Sequence, residues 1–285
     1  MPNNKIESVL RYFHLKLDEI YSINEVDSFF WILLEAELNW SRIDFMKDPD
    51  LRMSESQLLT FIGFSRRLAK FEPVQYIAGI TNFRGYDLKV SPNVLIPRPE
   101  TEELVSWVLQ SSNKSAKNTI IDIGTGSGCI PISIALELPN SKVEAIDIMP
   151  KALELAKENA IALGATVEFR LEDALNLNSK PNTFDVVISN PPYVLDSEKN
   201  EMRDNVLNFE PHVALFVEDS DPLLFYKSIS KWAHKSLRNN GMLFFEINEK
   251  YAQETIQLLE NIGFVNCEFK NDIFDKPRMV KGVKK

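Results

Sequence analysis

Thr119-Ile120-Ile121-Asp122-Ile123-Gly124-Thr125-Gly126-Ser127-Gly128 sets an apolar run against a loop with glycine at every second position, after which a helical pattern begins near Cys129. A strand, a glycine turn and a helix in that order open an α/β unit, because glycine lets the backbone come close to a ligand at the helix start. Dinucleotide folds space these glycines G-x-G-x-x-G to seat a pyrophosphate. Glycines at 124, 126 and 128 depart from that spacing and favour an adenosyl ligand without a pyrophosphate. From residue 118 onward strand and helix patterns alternate, the signature of a largely parallel sheet covered on both faces. Candidate strands are 119–123, 142–148, 167–171, 184–189, 242–247 and 264–269. Pro150 suits the first turn of the helix through Leu153, Leu155 and Ala156, and Gly164 its C-terminal cap.

Two aspartates follow the next strands. Asp147 stands 19 residues after Gly128, where a carboxylate can accept hydrogen bonds from ribose hydroxyls. Asp173 can accept from an adenine amino group. Each alone also reads as an ordinary turn residue; beside the glycine loop both become credible ligands. Asp122 can bind the amino group at the far end of such a ligand or brace the loop itself.

After the fourth candidate strand comes Asn190-Pro191-Pro192-Tyr193. Asn-Pro starts many plain turns, but this one has chemical content. An amide or ring-amino nitrogen is a poor nucleophile because its lone pair is delocalised, so a catalyst must hold its N–H groups by acceptors and aim the lone pair. The Asn190 side-chain carbonyl and the Pro191 main-chain carbonyl are candidate acceptors. Two prolines fix φ and remove two donors, and Tyr193 offers a flat face to a planar group. The pattern points to methyl transfer onto a planar nitrogen.

Ahead of residue 72 the chain reads as amphipathic helices packed as a small bundle. Ser22 with Glu25 and Ser54 with Gln57 have capping-box form, each followed by apolar residues at helical spacing. Phe29, Phe30 and Trp31, aromatics at helical spacing, read as core or interface rather than as a cofactor contact. Residues 72–99 change to short β-type stretches around Gly79 and Arg84-Gly85 and end in proline punctuation, a hairpin linker. The expected domains are therefore 1–71, a helical bundle; 72–99, the linker; and 100–285, the α/β domain.

The 285 residues, 44% of them hydrophobic, suffice for real cores. Met1-Pro2-Asn3-Asn4-Lys5-Ile6-Glu7 lacks the plan of a signal peptide and no apolar run is long enough to span a bilayer, so a cytoplasmic location is expected. Cys129 and Cys267 read as free thiols and no metal site is indicated. A net charge of −9 disfavours binding a bare nucleic-acid backbone. The basic residues Lys276, Arg278, Lys281, Lys284 and Lys285 read as a solvated tail.

The glycine loop, the acidic residue on the second strand and the Asn-Pro-Pro-Tyr together resemble class I S-adenosylmethionine-dependent methyltransferases that act on planar nitrogens. Glu72-Pro73-Val74-Gln75-Tyr76-Ile77-Ala78-Gly79, Phe83, Leu95-Ile96-Pro97-Arg98-Pro99-Glu100-Thr101-Glu102, Phe209-Glu210-Pro211 and Asp275-Lys276-Pro277-Arg278-Met279-Val280 narrow the likeness. With a helical region in front, the chain resembles the HemK/PrmC family of protein-glutamine N5-methyltransferases throughout its length. The resemblance implies a Rossmann-like, mostly parallel seven-stranded sheet and S-adenosylmethionine as cofactor. It also implies, as acceptor, the glutamine of the Gly-Gly-Gln loop in class I peptide chain release factors. By matching positions, Asp122, Gly124, Thr125, Gly126, Ser127, Gly128, Asp147, Asp173 and Asn190 would bind the cofactor. Asn190, Pro191, Pro192 and Tyr193 would receive the glutamine, with Asn190, Pro191 and Tyr193 catalytic. The helical domain and hairpin would hold the release factor's body, the chain acting as a monomer. Arg98 and Glu100 fall in the linker motif and are expected to organise the cleft between domains. Glu246 either caps a loop or meets the cofactor. Ala174 follows Asp173, so no aromatic lid is expected there.

Other readings remain open on the residues. A ribosomal-protein glutamine methyltransferase would share fold and tetrapeptide. A nucleic-acid adenine-N6 methyltransferase fits the tetrapeptide but not the charge. A non-catalytic adenosyl-ligand sensor would not need an amide-holding turn, and an NAD-dependent oxidoreductase stands by fold analogy alone.

Overall fold

In the computed structural model, residues 3–113, 115–178 and 180–285 are described; Met1 and Pro2, which open the stretch read for a leader, lie outside the described residues. Two compact units divide the chain. One runs up to Thr81 and includes Arg203–Phe209; the other comprises Asn82–Met202 and Glu210–Lys285.

The first unit holds helices Ile6–Leu17, Ile23–Leu38, Arg42–Lys47, Glu55–Leu68 and Val74–Ala78. Helices this short are marginal alone in water and depend on a packed apolar face. Ser22 and Ser54 cap their helices in reciprocal boxes with Glu25 and Gln57, and Ser41 does the same with Asp44. Each cap satisfies backbone donors otherwise left open, a contribution of about 1 kcal/mol. Phe13, Phe30 and Phe61 are fully buried among Val9, Leu33 and Leu68. Phe30 meets Phe13 edge-on at 5.2 Å between ring centroids, while Phe29 and Trp31 flank it half-buried.

The second unit is built on seven strands: β1 (Thr119–Ile123), β2 (Lys142–Asp147), β3 (Val167–Leu171), β4 (Phe184–Ser189), β5 (Leu237–Glu246), β6 (Phe264–Asn271) and β7 (Pro277–Lys284). Their order is β6-β7-β5-β4-β1-β2-β3. The first five run parallel, and β7 is antiparallel to both β5 and β6. Strand direction alternates side chains between faces. Ile120, Val186 and Ile188 therefore pack with helices Pro99–Ser111 and Cys129–Glu137, whereas Ile121, Ile123 and Val187 pack with helices Leu224–Ser236 and Ala252–Ile262. Strand order reverses between β1 and β4, and open α/β sheets bind ligands at such a switch point, beyond the carboxyl ends of the strands.

The basic C-terminal stretch corrects the expectation of a solvated tail. It is β7, paired on both edges, with Met279 and Val280 buried. Its charges find partners at the flanks. Lys281 pairs with Glu268 at 2.5 Å and lies over the Trp107 ring, and Arg278 pairs with buried Asp272 at 3.1 Å. In the segment read as a hairpin linker, strands Ile80–Phe83 and Tyr86–Lys89 pair around Arg84-Gly85.

Candidate active site

A cavity of about 330 Å³ opens at the carboxyl ends of β1, β2, β3 and β4. The glycine loop forms its floor. Gly124 N–H and Thr125 N–H both donate to the Ile146 carbonyl, at 2.9 and 3.0 Å, so the loop is tied to the neighbouring strand. Gly126 has φ of +54° and Gly128 of +83°, backbone that L side chains rarely adopt. A Cβ on Gly128 would meet Ile132 Cδ1 at 2.9 Å and Ala156 Cβ at 3.1 Å, so loop, helix and neighbouring helix close up only around glycine.

Asp147 joins the loop from β2. Its carboxylate accepts from Gly126 N–H and from Met149 N–H, both at 2.8 Å, and burial pushes its pKa up. Asp122 is wholly buried and does not itself line the cavity; neither carboxylate oxygen makes a well-formed hydrogen bond among the described residues, and the Thr125 hydroxyl is the polar group that faces it. Burial raises its carboxyl to about 7, with the Thr125 hydroxyl acting against the shift and the Asp147 charge adding to it. The buried hydroxyls of Thr125 and Ser127, which face Asp122 and Cys129, likewise make no well-formed hydrogen bond among the described residues. Buried polar atoms are nearly always satisfied in folded proteins, so a cluster at one loop marks where a polar group docks. Donors at Thr125 and Ser127 on the lining, backed by the buried acceptor Asp122, suit the zwitterionic end of an adenosyl amino acid, and the cavity beyond suits its nucleoside.

Asp173 lines the same cavity, but its own turn engages both oxygens: Leu175 N–H donates to Oδ1 at 2.8 Å and Asn176 Nδ2 to Oδ2 at 2.6 Å. Phe225 and Ile229, from the helix Leu224–Ser236, add an apolar wall that sequence reasoning missed. A lone aromatic on an amphipathic helix carries no local sign that it faces a ligand.

The tetrapeptide stands on the opposite wall. Ser189 Oγ donates to the Ile123 carbonyl at 2.7 Å, locking the end of β4 beside the loop, and Asn190, Pro191 and Pro192 then line the cavity. Asn190 Nδ2 donates to Thr101 Oγ1 at 3.3 Å. Tyr193 is not among the lining residues. Its ring packs against the core, its hydroxyl donates to Glu246 Oε1 at 3.1 Å, and its carbonyl accepts from Asn248 Nδ2 at 3.2 Å. Burial raises the Tyr193 phenol well above its ordinary pKa, so it stays a donor.

Arg98 lines the cavity beside Pro97 and pairs with Glu210 at 2.5 Å; the second Glu210 oxygen accepts from Ile96 N–H at 3.1 Å. One almost fully buried carboxylate thus pins the proline-rich wall from both ends. Thr101, Glu210 and Glu246 shape this site, yet their partners are far along the chain and no short motif pairs them.

A model described as the PrmC N-terminal domain matches residues 8–79, and one described as a methyltransferase domain matches residues 114–253. The release factor glutamine methyltransferase of Flavobacterium psychrophilum is 47% identical over 268 residues, covering 93% of this chain and 94% of the relative. That of Bacteroides thetaiotaomicron is 40% identical, covering 95% and 98%. Among solved structures, a methyltransferase from Pyrococcus furiosus superposes with a TM-score of 0.51 at 16% identity, covering 81% of this chain and 99% of that one, a likeness of fold.

Proposed function

The chain belongs to the release factor glutamine methyltransferase family, and on that premise we propose that it transfers a methyl group to the side-chain nitrogen of the Gly-Gly-Gln glutamine in class I peptide chain release factors. What supports this most is one placement: Asn190 and Pro191 line the cavity that also holds the glycine loop.

S-Adenosylmethionine, when bound, supplies a methyl group made electrophilic by a positively charged sulfur. Gly124 to Gly128 would take its amino-acid end, with Asp122 accepting from the ammonium and the Thr125 and Ser127 hydroxyls donating to the carboxylate. Asp147 would accept from the ribose hydroxyls. Asp173 would meet the adenine only with an oxygen shared with its own turn. Asn190 Oδ1 and the Pro191 carbonyl would accept the two amide protons of the glutamine. Holding both turns the nitrogen lone pair along the line of transfer and stabilises the positive charge that develops on nitrogen. No strong base is required, since the methylated amide is acidic enough to release its proton to solvent. Tyr193 would act from behind the turn, through Glu246.

The helical unit and the hairpin would hold the body of the release factor, with 1–71 as substrate-binding bundle, 72–99 as linker and 100–285 as catalytic domain. The protein would act as a monomer in the cytoplasm, on protein rather than nucleic acid. Among the described residues no helix is long and apolar enough to cross a membrane. Mass mapping of a release factor after incubation with enzyme and cofactor tests the proposal: one added methyl on the Gly-Gly-Gln peptide supports it. A methyl found only on a ribosomal protein would redirect it.

A further inference from the structure

Behind the tetrapeptide sits a buried carboxylate that does not itself line the cavity but bonds Thr101, which does. Glu246, 1% exposed at the end of β5, accepts the Thr101 hydroxyl at Oε2 (2.6 Å) and the Tyr193 phenol at Oε1 (3.1 Å). Thr101, also buried, is the group to which Asn190 Nδ2 donates. A hydroxyl has one proton. Thr101 gives its proton to Glu246, so towards Asn190 it can only accept. The Asn190 carboxamide must then turn its NH2 to Thr101 and its carbonyl away.

We propose that Glu246 and Thr101 are positioning residues: the carboxylate, acting through the Thr101 hydroxyl, dictates that Asn190 meets the substrate nitrogen with its carbonyl end, a proposal that rests on the glutamine reading of this site. A protonated Glu246 would donate to Thr101, whose own hydroxyl would then donate a hydrogen bond to Asn190 Oδ1 and turn the carboxamide round. Two NH2 groups would then face each other across the site. Orientation is thereby coupled to the charge on Glu246. From the elements packed about it, Arg278 on β7 favours the charged form, whereas Glu100 on the helix Pro99–Ser111 opposes it. The Tyr226 hydroxyl bonds the Glu246 main-chain carbonyl, Arg98 acts on Tyr193, and the buried Cys129 thiol stays neutral. Burial is the largest influence and raises the carboxyl above its ordinary pKa, so turnover is expected to fall as pH drops through that raised value.

The test is steady-state methyl transfer to a release factor by Thr101→Val, Thr101→Ser, Glu246→Gln and Asn190→Ala, with S-adenosylhomocysteine affinity and thermal midpoint alongside. Thr101→Val is expected to lower kcat roughly ten- to a hundredfold with ligand affinity unchanged. Thr101→Ser should restore kcat, and the acid limb of the wild-type kcat profile should vanish in Thr101→Val. Wild-type kcat in Thr101→Val beside an inactive Asn190→Ala overturns the proposal and leaves the glutamine reading intact. So does an equal loss in the Val and Ser variants tracking a lowered thermal midpoint. Should Thr101→Val not fold, Glu246→Gln decides by its pH profile: a neutral amide does not titrate, so the acid limb must vanish from its kcat profile, and an acid limb kept at its wild-type position overturns the proposal. A wild-type enzyme that transfers no methyl to the factor is the separate failure of the glutamine reading, and the positioning proposal falls with it.

Discussion

Asn190 concentrates the proposed chemistry in one carboxamide whose nitrogen is already committed to Thr101. Asn190→Ala is expected to lower kcat roughly a hundredfold or more while leaving S-adenosylhomocysteine affinity unchanged, as read by single-turnover transfer and calorimetry. Asp122 makes a second, pH-dependent case. Its carboxyl is raised from 3.8 to about 7, so the folded chain keeps a proton there that the unfolded chain releases, and stability is lost as pH rises through that window. Asp122→Asn removes this dependence. Its stability relative to wild type, measured by urea melts of the ligand-free protein, should improve by roughly 3–4 kcal/mol between pH 4 and pH 8, with loss of cofactor affinity as the functional consequence. The glycine loop, Asp147 and the tetrapeptide could be found in the sequence because each sits at a strand end, a place that local periodicity reveals. Glu246 and Glu210 stand out in the sequence too, but what they hold does not, because their partners Thr101 and Arg98 stand 145 and 112 residues away.

At the scale of elements, the wall Ile96-Pro97-Arg98 depends on one carboxylate. Glu210→Ala would leave Arg98 and Ile96 N–H without their buried acceptor, a loss of about 2 kcal/mol. The thermal midpoint should drop and KM for cofactor rise more than kcat falls. Strand β7 is the element the sequence concealed. Alternation over Met279, Val280 and Val283 is interrupted by lysines, and its partners become clear only once β5 and β6 are side by side. Deleting 277–285 exposes the edges of both neighbours and removes buried Met279 and Val280, so the shortened chain is expected to be insoluble or unfolded by circular dichroism. Helices of the first unit were legible because Ser22 and Ser54 announce their starts and the aromatics repeat at helical spacing.

For the whole molecule, the resemblance read from the tetrapeptide and the proline-rich motif agrees with the 47% identity found along 93% of the chain. Acceptor choice is a property of this scale, since the tetrapeptide alone is shared with enzymes that modify adenine. The decisive measurement is transfer of labelled methyl from S-adenosylmethionine to a purified class I release factor, to the same factor with its Gly-Gly-Gln glutamine replaced, and to DNA. Label on the intact factor alone is the expected result. Label on the glutamine-replaced factor, on DNA, or on none of the three would contradict the assignment of a release factor glutamine as acceptor.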